Sequence, residues 1–147
     1  MNYVVTGGTG FIGRHLIDQL VRRKGTIYVL VRPRSRSKLK ALVQDRWPEH
    51  QKRIHPMTGD LAKRGLGISK KDRESLIGKV HHFFHLAAVY DLTADASANE
   101  QANIEGTRHA LECASALKVK CFHHTSSIAV AGLYQGTFRE DMFDEAT

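Results

Sequence analysis

The residues best suited to chemistry stand near the start of the chain, where "TGGTGFIG", Thr6 to Gly13, places four glycines within seven positions directly after an apolar run. A backbone free of side chains at Gly7, Gly10 and Gly13 lets a ligand come close. Where such a turn opens a helix, its N–H groups and the helix dipole receive a pyrophosphate. A second candidate is "RPRSRSK", in which Arg32, Arg34 and Arg36 follow another apolar run with no acid among them. Guanidinium forks of this kind match phosphate oxygens. Asp60 closes "RIHPMTGD" and Ser127 closes "KCFHHTSS". Each stands where an apolar stretch gives way to a turn.

These side chains need elements to hold them. "NYVVT" reads as a short buried strand, and the spacing of Ile12, Leu16, Ile17, Leu20 and Val21 predicts a helix over Phe11 to Arg23, stopped by Gly25. "TIYVLV" reads as a second strand, "KLKALVQDRW" as a helix closed by Pro48, and "RIHPMTGD" as a third strand. Ser69 caps a short helix in "SKKDRESLI", and "KVHHFFHLAA" is the fourth strand. Small and apolar residues from Ala98 to Leu117 mark a long helix over Asp95 to Leu117, and "KCFHHTSS" is the fifth strand.

Unbroken apolar strands separated by helices imply an α/β domain over residues 1–147. Its sheet is expected to be parallel and doubly wound, with about five strands in the order 3-2-1-4-5 and helices on both faces, the Rossmann arrangement. The glycine turn then lies at the carboxyl edge of the sheet, where such folds bind ligands. Arg32, at the end of the second strand, meets the adenosine ribose of a dinucleotide. An acid there accepts from a 2′-hydroxyl, whereas Arg pairs with a 2′-phosphate, so NADP is expected rather than NAD, with Arg36 beside Arg32. Asp60 suits the adenine amino group, or else it closes its own turn. Ser127 can donate to a substrate carbonyl or developing alkoxide. Ser126 points the other way.

In these residues the chain resembles the extended short-chain dehydrogenase/reductase family. "TGGTGFIG" is similar to the family's Thr-Gly-x-x-Gly-x-x-Gly signature, bringing Phe11 and Ile12 to the cofactor with Thr6, Gly7, Gly10 and Gly13. "GDL" resembles its adenine-contacting segment, Asp60 and Leu61, and "HLAA" the fourth-strand segment beside the cofactor, Ala87 and Ala88. "NIEGT" is similar to the family's helical Asn, here Asn103, and "TSSIAVAG" to its active-site serine segment, here Ser127. "LVRPRS", "GLGIS" and "FHHTSS" look most like the fatty acyl-CoA reductase and thioester reductase branch. The resemblance implies an NADP-dependent oxidoreductase that transfers hydride to a carbonyl or acyl-thioester carbon of a small substrate such as an acyl thioester or aldehyde. A non-catalytic NADP sensor or interaction module, or part of a sugar-nucleotide epimerase or dehydratase, would share most motifs.

The family's proton relay needs Tyr-x-x-x-Lys, but Tyr90 is followed at that distance by Ala94 and Tyr134 by Phe138. Family spacing puts the pair just past Thr147, so the chain is expected to be an N-terminal portion, without the C-terminal substrate region and inactive by itself. Its last strand would leave an open edge that invites self-association.

Composition narrows the partners. The net charge of +7 comes from clusters partly interleaved with acids, without the aromatic platforms or recognition helix of a nucleic-acid binder. No apolar stretch has the length of a membrane span, and Met1 lies too close to the first strand for a leader, so a cytoplasmic location is expected. Cys113 and Cys121 are expected as buried, reduced thiols. His81, His82, His85, His123 and His124 fall in two neighbouring strands, yet alternation splits adjacent pairs and no cysteine or carboxylate joins them at ligand spacing. No metal site is expected. His85 is placed at the cofactor pocket.

Overall fold

The computed structural model of the protein describes residues 1–88, 101–142, 144 and 145. Five strands, β1 (Asn2–Thr6), β2 (Thr26–Val31), β3 (Ile54–Thr58), β4 (His82–His85) and β5 (Cys121–His124), form one parallel sheet in the order β3-β2-β1-β4-β5. The helices are α1 (Phe11–Leu20), α2 (Arg36–Arg46), α3 (Lys70–Leu76) and α4 (Gly106–Ala116). The expected strand order and doubly wound fold are present.

Because β1 is central, its alternate side chains enter two separate cores. Val5, with Tyr3, Ile27 and Val29, packs under Ile17 and Leu20 of α1 and Leu39 and Val43 of α2. Val4 faces the other way, into a layer with Phe83, Leu66, Leu76 and the small face of α4, Ala110 and Ala114. Ile17, Val4 and Val5 are fully buried, and each such side chain contributes roughly 1.5–3 kcal/mol. The apolar runs legible in the sequence follow from this two-sided covering.

Helix α1 ends at Leu20, earlier than the expected Arg23. Arg53, just ahead of β3, donates to the carbonyls of Gly25 at 2.8 Å, Val21 at 3.0 Å and Arg23. One guanidinium thereby occupies carbonyls that another helical turn would have used, and its charge suits the negative end of the dipole. Gly25 still has a special role in the link to β2. Its φ is +120°, and a Cβ there would overlap the Met1 carbonyl. Ser69 caps α3 as expected, accepting from the Asp72 N–H at 3.0 Å. Residues 89–100 lie outside the described set, and with them Tyr90 and the part of the expected long helix from Asp95 through Ala98. A π-helical turn, Gln101–Glu105, leads into α4.

Strand β5 lies at one edge of the sheet. Cys113 is on the buried face of α4, but Cys121 on β5 is exposed, which corrects the expectation that both thiols are buried. The edge strand receives cover on fewer sides than a central one. Past β5, Ile128, Val130 and Leu133 stand 96%, 61% and 82% exposed. Among the described residues no helix is long and apolar enough to cross a membrane.

A polar clasp ties the two helices of one layer together. Asp18 of α1 accepts from the Arg46 guanidinium Nε and the Trp47 indole N–H, both at 2.9 Å. The Trp47 ring is buried. The Arg46 hydrogen bond, against the opposing cost of burial, holds the Asp18 carboxyl down to about 2. Asp18→Ala leaves a buried indole N–H without its acceptor, and should cost about 1–2 kcal/mol in urea unfolding at pH 7. A carboxyl held low in the fold stabilises it above the ordinary Asp range, so the wild-type advantage should fade as pH drops from about 4 toward 2. An equal gap between wild type and variant at both ends of that range would disprove the clasp.

Candidate functional site

The glycine turn after β1 is held by its own backbone. Gly7 has φ +72° and its carbonyl accepts from the Gly10 N–H at 3.0 Å, while the Gly10 carbonyl accepts the first helical bond, from Arg14, at 3.1 Å. The glycines divide by what a Cβ would meet. At Gly7 it would press on the Ala87 backbone, 2.8 Å from its nitrogen; at Gly8 on Val29, at 2.6 Å; at Gly13 it would overlap the Gly7 carbonyl. These three make packing possible. Gly10 differs, since only the Gly7 carbonyl comes near, at 3.2 Å, and the remaining space is open. Gly10 is also the N-cap of α1, with no side-chain cap and no acid in the first turn. Bare N–H groups, a positive helix end and open space over a glycine fit a phosphate-bearing cofactor.

Beside this turn lies a crevice of about 230 Å³ at the carboxyl ends of β1, β2 and β3. Of the residues singled out in the sequence, Thr6, Gly7, Arg32, Asp60, Leu61 and Ala87 converge on it. Thr9, Ser35 and Gly59 line it too. Sequence reasoning passed over these three, although each sits inside a motif already quoted. Arg36 does not reach the crevice: its guanidinium donates to the Thr58 hydroxyl at 2.8 Å and lines a separate depression with Leu39 and Pro56. In this structure Arg36 therefore stands apart from Arg32. Asp60 closes its own turn, accepting from the Ala62 N–H at 3.1 Å through Oδ1, and Oδ2 makes no hydrogen bond among the described residues. Phe11 and Ile12 project from the first turn of α1, 71% and 54% exposed. Ala88 is exposed next to Ala87. A wider depression, about 890 Å³ between α4 and the turn at Arg64, holds none of the candidate residues.

Behind the crevice runs a hydrogen-bond chain whose direction is fixed at every step. The Ala87 N–H donates to the Thr6 hydroxyl at 3.3 Å, and that hydroxyl bonds His85 Nδ1 at 2.9 Å. On the other side of the ring, Nε2 lies 3.2 Å from the Thr107 hydroxyl, which donates to the Asn103 carbonyl at 2.6 Å. Burial, with His124 stacked beside it, pushes the His85 pKa down to about 4, so the ring is neutral at pH 7. Since Thr107 spends its proton on Asn103, the neutral ring donates from Nε2 and accepts from Thr6 at Nδ1. The ring links β1, β4 and the start of α4. Sequence reading placed His85 at the pocket but could not see Thr107, which lies 22 residues away.

Asn103 is in the π-helical turn at the near end of this chain. Ser127 caps the 3₁₀ turn Ile128–Ala131, its Oγ accepting from the Ala129 N–H at 3.2 Å. The hydroxyl proton stays available to a ligand. No described contact joins Ser127 to Asn103. The histidine reading also changes: His82 and His123 do lie on one face, and Cys121 joins them, contrary to the expectation that no cysteine would.

A histidine held neutral by the fold stabilises it fully above the ordinary range near 6.5 and loses that contribution as pH falls toward 4, because the unfolded chain takes up the proton first. His85→Gln should therefore remove a stability slope worth about 3 kcal/mol across that interval. Urea midpoints at pH 7, 5.5 and 4 check it; parallel curves for the two proteins would contradict the assignment.

Comparison with known proteins places these features. The sequence pattern of the male sterility protein family, an NAD-binding family, matches residues 5–147. The chain is 33% identical to fatty acyl-CoA reductase 2 of Mus musculus over 140 residues, which cover 84% of this chain and 27% of that protein. It spans little more than a quarter of that relative's length. Among solved structures, the terminal R domain from the myxalamid PKS-NRPS biosynthetic pathway superposes with a TM-score of 0.83 at 29% identity, over 96% of this chain and 39% of that one. UDP-glucuronic acid 4-epimerase from Bacillus cereus, solved in complex with NAD, follows the same fold at TM-score 0.70 and 25% identity, over 97% of this chain and 45% of that one. With the glycine turn, the crevice and the five-strand order all in place, the chain belongs to the NAD-binding male sterility protein family.

Proposed function

We propose that the chain is the cofactor-binding part of an NADP-dependent reductase acting on a carbonyl or acyl-thioester carbon of a small substrate. The observation that carries this reading is Arg32 in the crevice wall directly after β2, where a ribose-binding acid would otherwise stand. Bound there, the dinucleotide would supply the hydride. The first-turn N–H groups of α1 and the open face of Gly10 hold the pyrophosphate; Arg32 pairs with a 2′-phosphate; Asp60 Oδ2 accepts from the adenine amino group. Ala87 and Ala88 keep the inner wall low. The Ser127 hydroxyl, its oxygen occupied by Ala129, donates to the substrate oxygen, and Asn103, steadied through Thr107 and His85, positions the helix beside it.

The acyl-thioester class is supported by the reductase relative's name and the fold shared with the R domain. The NAD-bound epimerase supports a second reading, since its fold uses a dinucleotide for sugar-nucleotide chemistry. Arg32 favours the first, because NADP and not NAD carries a 2′-phosphate.

Two binding measurements test the proposal. NADPH should bind about tenfold or more tightly than NADH in a fluorescence titration, and Arg32→Asp should reverse the order. Equal affinities in the unmutated protein would leave the NADP assignment without support.

Gly10→Val separates the cofactor's needs from those of the fold. A Cβ at Gly10 meets only the Gly7 carbonyl, at 3.2 Å, so circular dichroism should stay unchanged while cofactor binding is lost. Gly13→Val, by contrast, should unfold the turn. Undiminished affinity in folded Gly10→Val would show that phosphate binds elsewhere.

A further inference from the structure

We propose that His82, Cys121 and His123 form a zinc-binding site on the sheet, at the end of β4 and β5 remote from the cofactor crevice. In the parallel register His82 stands directly opposite Cys121. His123, two residues further along β5, projects from the same face. His82 Nδ1 and His123 Nε2 are 3.0 Å apart, and one ligating atom from each of the three residues lies within 4.8 Å of the other two. Tetrahedral zinc, with bonds of about 2.0–2.3 Å to nitrogen and sulfur, asks for donors about 3.3–3.8 Å apart. Cys121 is exposed, so its rotation closes the difference without moving the strands.

Two imidazoles and a thiolate are donors that suit zinc and discriminate against magnesium or calcium. The rings are already oriented. Tyr3 stacks on His82 at 5.8 Å and Phe84 on His123 at 4.3 Å, leaving the exposed side for a fourth ligand such as water. Metal uptake releases one proton, from the Cys121 thiol. The imidazole that donates in the His82–His123 pair carries its N–H on the other nitrogen once the metal is bound.

Cobalt reports on the sulfur directly. Titrating the reduced protein with Co²⁺ should produce a near-ultraviolet thiolate-to-cobalt absorption that saturates at one metal per chain and is displaced by Zn²⁺. Cys121→Ser should abolish the band, His82→Gln and His123→Gln should each weaken binding about tenfold or more, and Cys113→Ser should retain it. Circular dichroism of each variant establishes that the sheet has formed. No band in the unmutated protein, a band that survives Cys121→Ser, or saturation at one metal per two chains would overturn the proposal.

Discussion

The crevice exists because backbone lies against backbone. Gly7 meets the Ala87 peptide, and Gly13 meets the carbonyl of Gly7, at distances that leave no space for a Cβ. Those two contacts set the angle at which α1 leaves β1 and the separation between β1 and the segment after β4. Every other feature of the site inherits that geometry: the direction of the bare N–H groups, the position of Ala87, and the line from Thr6 into the protein. Gly10, free of such contact, is the one glycine of the turn whose missing side chain benefits a ligand more than the fold.

The buried chain through His85 extends this constraint sideways. A neutral imidazole with one donor and one acceptor can satisfy two hydroxyls at once, and here those hydroxyls belong to β1 and α4. The Thr6 hydroxyl also takes the Ala87 N–H, so the same group that ends the first strand fixes the wall of the crevice. A leucine at position 85 would leave the Thr6 hydroxyl proton without its acceptor and the Thr107 oxygen without its donor. Polar specificity in an apolar layer joins the cofactor edge to the helix carrying Asn103.

Much of the fold was legible because β1, β2 and β4 are covered on both faces and so read as unbroken apolar runs. The glycine turn was legible because its spacing encodes a backbone path. What stayed hidden depends on long-range register. Nothing in "RPRSRS" distinguishes Arg32, which lines the crevice, from Arg36, which swings to Thr58 on β3; the difference arises from the helical turn that begins between them. The end of α1 was misjudged by three residues because Arg53, which binds the carbonyls just past it, comes from another part of the chain. Cys121 was passed over because a cysteine becomes the neighbour of a histidine 39 residues earlier only once β4 and β5 are aligned.

A parallel sheet gives its two ends different chemistry. At the carboxyl ends of the strands, loops enter helices whose positive ends gather N–H groups, and the residues there are suited to anions: glycines, Arg32, the hydroxyls of Thr9 and Ser35. At the other end the strands begin, and side chains rather than helix N-termini supply recognition among the described residues. His82, Cys121 and His123 are of that kind, donors of lone pairs where the crevice offers donors of protons. An anionic cofactor at one end and a cation at the other would each match the local field, so the polarity of the strands is sufficient to keep the two sites chemically separate within a single domain.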